Sequence, residues 1–134
     1  MNAPQLNAIG LVASDLDRTV AFYRALGCGL PDPPGEDGGH LVAQLGDFRL
    51  MIDTEEIIRS FDPHWQPSGS GRLTLAVQCD SPGEVDRLHD QLSALGSGSY
   101  LEPFDAVWAQ RYATVLDPDG VHVDLYAALV PGEE

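Results

Sequence analysis

Positive charge is scarce in this 134-residue chain: 7 Lys and Arg residues stand against 21 Asp and Glu, a formal net charge of −14. A phosphate backbone requires a basic face, which so few cations do not supply, so nucleic acid is excluded as a partner. Charge alone points to a neutral or cationic partner, with solubility as the competing account of the same acidity. Cysteine is scarce too. Cys28 and Cys79 fall in no CxxC or Cys/His spacing, which leaves neither a disulfide framework nor a zinc site. No apolar run is long enough to cross a bilayer, and the opening MNAPQLNAIG lacks a basic segment followed by an apolar stretch. No membrane partner and a cytoplasmic location are expected. Neither GxSxG nor GxxxxGK(S/T) occurs, and SGSG at 68–71 has neither the strand before it nor the helix after it that a phosphate loop requires. DPDG at 117–120 contains Pro118 and lacks a closing Glu, so it reads as a tight turn rather than a calcium loop.

What is present suffices for one domain with its own core, since 43% of residues are hydrophobic. The two halves follow one plan. In LNAIGLVASDLDRTVAFYRALG, Asn7, Ile9 and Leu11 alternate with Ala8, Gly10 and Val12 as a strand. Ser14 and Asp17 form a capping box, Leu16, Val20, Tyr23 and Leu26 make a helical stripe, and Gly27 ends it. In GRLTLAVQCDSPGEVDRLHDQLSALG, Leu73, Leu75 and Val77 alternate with Arg72, Thr74 and Ala76. Ser81 is then the N-cap, Pro82 the first-turn proline and Glu84 the capping-box acid, with Val85, Leu88, Leu92 and Leu95 as the stripe. HLVAQLG and FRLMID continue the first half as strands, and VWAQRYATVLD and VHVDLYA the second. The expected fold is α+β: two tandem βαβββ modules at about 5–60 and 71–128, joined by a loop at about 61–70, forming a curved mixed sheet with helices on its outer face.

Each strand then has a helix side and a second side. Phe48, Leu50 and Ile52 face the helix, leaving Arg49, Met51 and Asp53 opposite; Ala109, Ala113 and Val115 leave Trp108, Gln110, Tyr112 and Thr114, with Arg111 out of register. Val121, Val123 and Leu125 leave His122, Asp124 and Tyr126. Aromatic, polar and charged groups mixed on one sheet face suit a pocket if that face is concave.

LVASDLDRTVAFYRALG and VLDPDGVHVDLY, together with the doubled βαβββ plan, resemble the vicinal-oxygen-chelate superfamily of glyoxalases, extradiol dioxygenases, and fosfomycin- and bleomycin-resistance proteins. The resemblance covers nearly the whole chain. In metal-using relatives it implies four inward ligands that hold a divalent cation, and carrying those places across puts them on Ala8, on or near Met51, on Arg72 and on Asp124. Only Asp124 offers a suitable oxygen. Ala8 has no donor, the Met51 thioether is soft and Arg72 is positive, with Asp53 the one substitute on the same face as Met51. No metal and no cofactor are therefore expected. The resemblance also implies a homodimer.

The expected ligand-binding residues are Arg72, Trp108, Gln110, Tyr112, Asp124, Met51 and Trp65. Arg72 and Asp124 either pair with each other or lend one charge to a ligand. Trp108, Gln110 and Tyr112 form an aromatic wall around an amide, with core packing as the alternative. Trp65, in a loop rich in Pro, Gly and Ser, either covers the pocket or anchors the loop. His122 is the candidate general base; His40 can face the same pocket, His89 falls off its helical stripe into solvent, and His64 is a loop residue. The leading expectation is metal-independent binding of a small organic ligand, as in bleomycin-resistance proteins. A lyase or isomerase, metal-dependent or using His122, is the alternative, and a dimeric module with a vestigial pocket the third.

Overall fold

The computed structural model describes residues 5–30, 39–67 and 73–129. The chain forms two compact units, residues 1–67 and 68–134. The first contains β1 (Ala8–Ala13), α1 (Leu16–Leu26), β2 (His40–Leu45), β3 (Phe48–Thr54) and α2 (Glu55–Phe61). Its sheet has the order β1-β3-β2, with β1 parallel and β2 antiparallel to β3. Alternation buries Leu11, Ala13, Leu41, Ala43, Leu50 and Ile52 on one face, while α1 contributes Val20, Phe22 and Tyr23 to the core. Phe22 and Tyr23 meet edge to face at 5.0 Å.

The cap of α1 sits one residue later than Ser14. Asp15 is the N-cap, accepting from the Arg18 amide at 3.1 Å. The helix ends at Gly27 with φ 111, where the Cys28 amide reaches back to the Tyr23 carbonyl. The stretch after β3 is a short helix, α2, where the βαβββ plan expected from the sequence calls for a last strand, so the first unit runs βαββα. Thr54 caps it by accepting from the Ile57 amide at 3.2 Å, and Glu55 and Glu56 occupy its positive end.

The second unit runs βαβββ in full: β4 (Thr74–Gln78), α3 (Pro82–Leu95), β5 (Ser99–Ala106), β6 (Gln110–Leu116) and β7 (His122–Ala128). Its sheet has the order β4-β7-β6-β5, with only the β4–β7 pair parallel. Ser81 caps α3 by accepting from the Glu84 amide, while the Glu84 carboxylate accepts from the Asp80 amide. Val85, Leu88 and Leu92 of α3 are buried along with Ala113, Val115, Val123, Leu125 and Ala127 of β6 and β7, against which the helix packs. DPDG is a tight turn, tied by the Asp117 carboxylate to the amides of Asp119 and Val121. Edge strand β5 carries Pro103 and shifts register twice, between Ser99 and Leu101 and between Leu101 and Phe104.

Three expectations about this unit are corrected. His89 is not solvated: it is 3% exposed, with Nε2 2.7 Å from Ser99 Oγ on β5 and Nδ1 3.1 Å from Asp90 Oδ1. Arg111 does not disturb its strand. It points to the helix side and forks onto Asp86 of α3 at 2.9 and 3.3 Å, with a third bond to Asp105 at 3.1 Å. Ala109 faces no helix, because it lies in the three-residue turn Val107–Ala109 that joins β5 to β6 at the Ala106–Gln110 pair.

Ala109 has φ 65, a left-handed conformation that the third residue of such a turn adopts and that glycine tolerates without steric cost. Ala109→Gly is expected to stabilise the protein by about 1 kcal/mol, since the relief of Cβ strain exceeds the added chain entropy. Thermal melts showing an unchanged or lower midpoint would contradict this.

Both sheets mix parallel and antiparallel pairs and bury one face, which is the expected α+β arrangement. No described helix is long and apolar enough to cross a membrane.

Candidate functional site

On β7, Val123, Leu125 and Ala127 are buried, so the pleat turns His122, Asp124 and Tyr126 to the other face of the second sheet. Register places Thr114 of β6 opposite Asp124 and Tyr112 opposite Tyr126, with Gln110 one pleat further on. Phe104 of β5 lies opposite Tyr112, and Ala76 of β4 opposite Asp124.

Asp124 is the polar centre of this face. One of its oxygens accepts from Thr114 Oγ1 at 2.7 Å and the other from the Tyr112 hydroxyl. Bonds to an ionised acceptor are strong, and two of them hold the carboxylate in one orientation. Burial, the hydrogen bond it gives and the negative charge of Asp124 push the Tyr112 phenol up to about 12. Tyr112 therefore remains a proton donor throughout the physiological range.

The Tyr112 ring joins an aromatic cluster. Trp108 lies 5.4 Å from it and Phe104 6.1 Å, and these two are 6.3 Å from each other, all edge to face. Trp108 Nε1 donates to Gln110 Oε1 at 2.9 Å, which fixes the indole although 54% of the residue is exposed. Of the expected residues, Trp108, Gln110, Tyr112 and Asp124 thus form one continuous contact chain. Trp108 enters it from the turn, not from a strand.

Phe104 and Tyr100 are additions that the sequence does not single out. Tyr100 packs on His122 with ring centres 4.4 Å apart. His122 has no hydrogen-bond partner among the described residues, so nothing there orients it as a base. Arg72 lies outside the described residues, and so does its expected pairing with Asp124.

The remaining candidates belong to the first unit. Met51 lies between Gly10 and Val42 on the open face of the first sheet, and a Cβ added to Gly10 would stand 3.9 Å from Met51 Cε. Asp53, on the same face, pairs with His40 Nδ1 across β2 and β3. Trp65 follows α2, with the Arg59 guanidinium 5.1 Å from its ring centre, a cation–π contact that anchors the loop.

The chain matches the Glyoxalase/Bleomycin resistance protein/Dioxygenase superfamily over residues 5–125. It belongs to that superfamily. Solved structures of the same fold include a glyoxalase-related enzyme from Fulvimarina pelagi, 21% identical, with TM-score 0.78 over 93% of this chain and 88% of the other. A glyoxalase/bleomycin resistance protein/dioxygenase from Nocardioides is 27% identical, with TM-score 0.68 over 98% and 88%. Lactoylglutathione lyase from Agrobacterium tumefaciens is 20% identical, with TM-score 0.63 over 99% and 100%. No curated protein matches the chain.

The divalent ion used by many members of the superfamily does not fit the donors present here. Ala8 has none and Met51 offers only a thioether, which leaves Asp124 as a lone carboxylate where such an ion needs several oxygen donors. Among the described residues, no three His, Cys, Asp or Glu side chains converge on a point that could hold a metal.

Proposed function

We propose that this superfamily member binds a small organic ligand on the open face of its second sheet without a metal ion, as a sequestering protein of the bleomycin-resistance kind. One observation carries the reading: Phe104, Trp108 and Tyr112 form a mutually braced aromatic surface that stays partly exposed and connects through the Tyr112 hydroxyl to Asp124. Flat apolar area beside a few fixed polar groups is the usual composition of a small-molecule site. Bracing lowers the entropy lost when a ligand settles on it.

The test is calorimetric titration against a panel of aromatic metabolites and glycopeptide drugs, with and without a chelator. Saturable binding that the chelator leaves unchanged is expected. A panel with no binder sinks the reading, and binding that disappears with the chelator sinks its metal independence.

A second reading, metal-free proton transfer, is favoured by a different feature. Asp53 engages His40 Nδ1, and Nε2 of this imidazole, half-open to solvent, has no partner among the described residues, which suits it to accept a proton. His122 has no such carboxylate among the described residues. Turnover on any panel compound that is lost in both His40→Gln and Asp53→Asn would replace sequestration with catalysis.

A further inference from the structure

We infer that the ligand of the second sheet is an organic cation, an ammonium group joined by a short linker to an aromatic ring. This rests on the binding reading above and names the chemical class that the same site takes.

Charge among the described residues of this face is one-sided. Asp105 lies opposite Arg111 and is bonded to it, and the exposed Glu102 carboxylate lies 3.7 Å from His89 Nε2 of α3, so both β5 carboxylates lie toward the helix side. Arg111 is held there as well, by Asp86 and Asp105. Asp124 is thus the carboxylate that the described strands leave on the open face, and it has no cationic partner among the described residues. Its two partners are neutral hydroxyls, which orient the charge without cancelling it. Each oxygen keeps a further lone pair for an incoming donor.

The surroundings suit a cation in a second way. The face of an aromatic ring carries the negative part of its quadrupole, so rings beside a carboxylate favour a positive group over a neutral one of equal size. Geometry supplies the linker. Tyr112 touches Asp124 with its hydroxyl and Trp108 with its ring, so the charge and the exposed indole stand about one tyrosine side chain apart. An arylalkylamine spans that interval with its nitrogen on Asp124 and its ring on Trp108. The net charge of −14 also raises the local concentration of any cation.

Three probes of one shape test the class by calorimetry: phenethylamine, 2-phenylethanol and 3-phenylpropanoate. The amine is expected to bind roughly tenfold more tightly than the alcohol, and the carboxylate more weakly than either. The amine's advantage should shrink with added salt. In Asp124→Asn the amine should lose its advantage, while Asp124→Glu, which keeps the charge, should retain it. Equal affinity for amine and alcohol overturns the assignment, and preference for the carboxylate reverses its sign. If none of the three binds, the arylalkylamine class is wrong; the binding reading itself fails only if the wider panel is silent too.

Discussion

Tyr112→Ala should weaken any ligand held by the second sheet by roughly thirtyfold, about 2 kcal/mol, in a protein that still folds. The size follows from the three contacts that this one side chain makes. Its ring braces Trp108 and Phe104, so truncation frees the indole to sample rotamers that a ligand must then re-order. Its hydroxyl holds Asp124, so the carboxylate loses one of its two fixed bonds. Tyr112→Phe separates these effects by keeping the ring and losing only the hydroxyl, and should cost much less. The same pair of variants can be followed by pH. The folded phenol titrates near 12, above the ordinary 10, so the folded state holds that proton more tightly than the unfolded chain does. Its contribution to stability is complete below pH 10 and is lost as pH rises toward 12. Absorbance titration of the phenolates should show a late-ionising tyrosine that is missing from Tyr112→Phe. Affinity unchanged in Tyr112→Ala would show that the aromatic cluster is not the binding surface.

His89→Ala should cost about 3 kcal/mol and lower the melting midpoint by on the order of 10 °C. The imidazole is 3% exposed between α3 and β5, so its removal leaves a cavity at a helix–sheet contact and deprives Ser99 Oγ of its 2.7 Å partner. His89→Gln, which can still reach Ser99, should recover part of the loss. A midpoint within about 2 °C of the parent would mean that the site collapses without strain.

Period-two alternation makes the second sheet's open face legible before any coordinates. His122, Asp124 and Tyr126 share it with Gln110, Tyr112 and Thr114, because strand pairing preserves the pleat. Helix α3 is legible down to its cap, since Ser81, Pro82 and Glu84 each have one natural place in a first turn. The cap of α1 is not, because Ser14 and Asp15 are both good caps and only the backbone decides which oxygen meets the Arg18 amide. The turn at Val107–Ala109 is invisible for a related reason. It contains no Gly, Pro, Asn or Asp, and the alternation of VWAQ runs through it without a break. Arg111 and His89 mislead because polarity stands in for exposure in a sequence. Asp86 draws the guanidinium inward from 25 residues away, and Ser99 holds the imidazole from 10, and neither partner is marked along the chain. Phe104 escapes because Pro103 and the register shifts of β5 break the pattern that would place it.

Those same shifts have a consequence for the purified protein at high concentration. Strand β5 and the turn after it expose Tyr100, Leu101, Phe104, Val107 and Trp108, a sticky composition for a sheet border. A straight border of that kind would template cross-β stacking of one molecule on the next. Two register shifts and an imino acid without an amide hydrogen interrupt the ladder that such stacking would have to copy, which works against cross-β growth along this border.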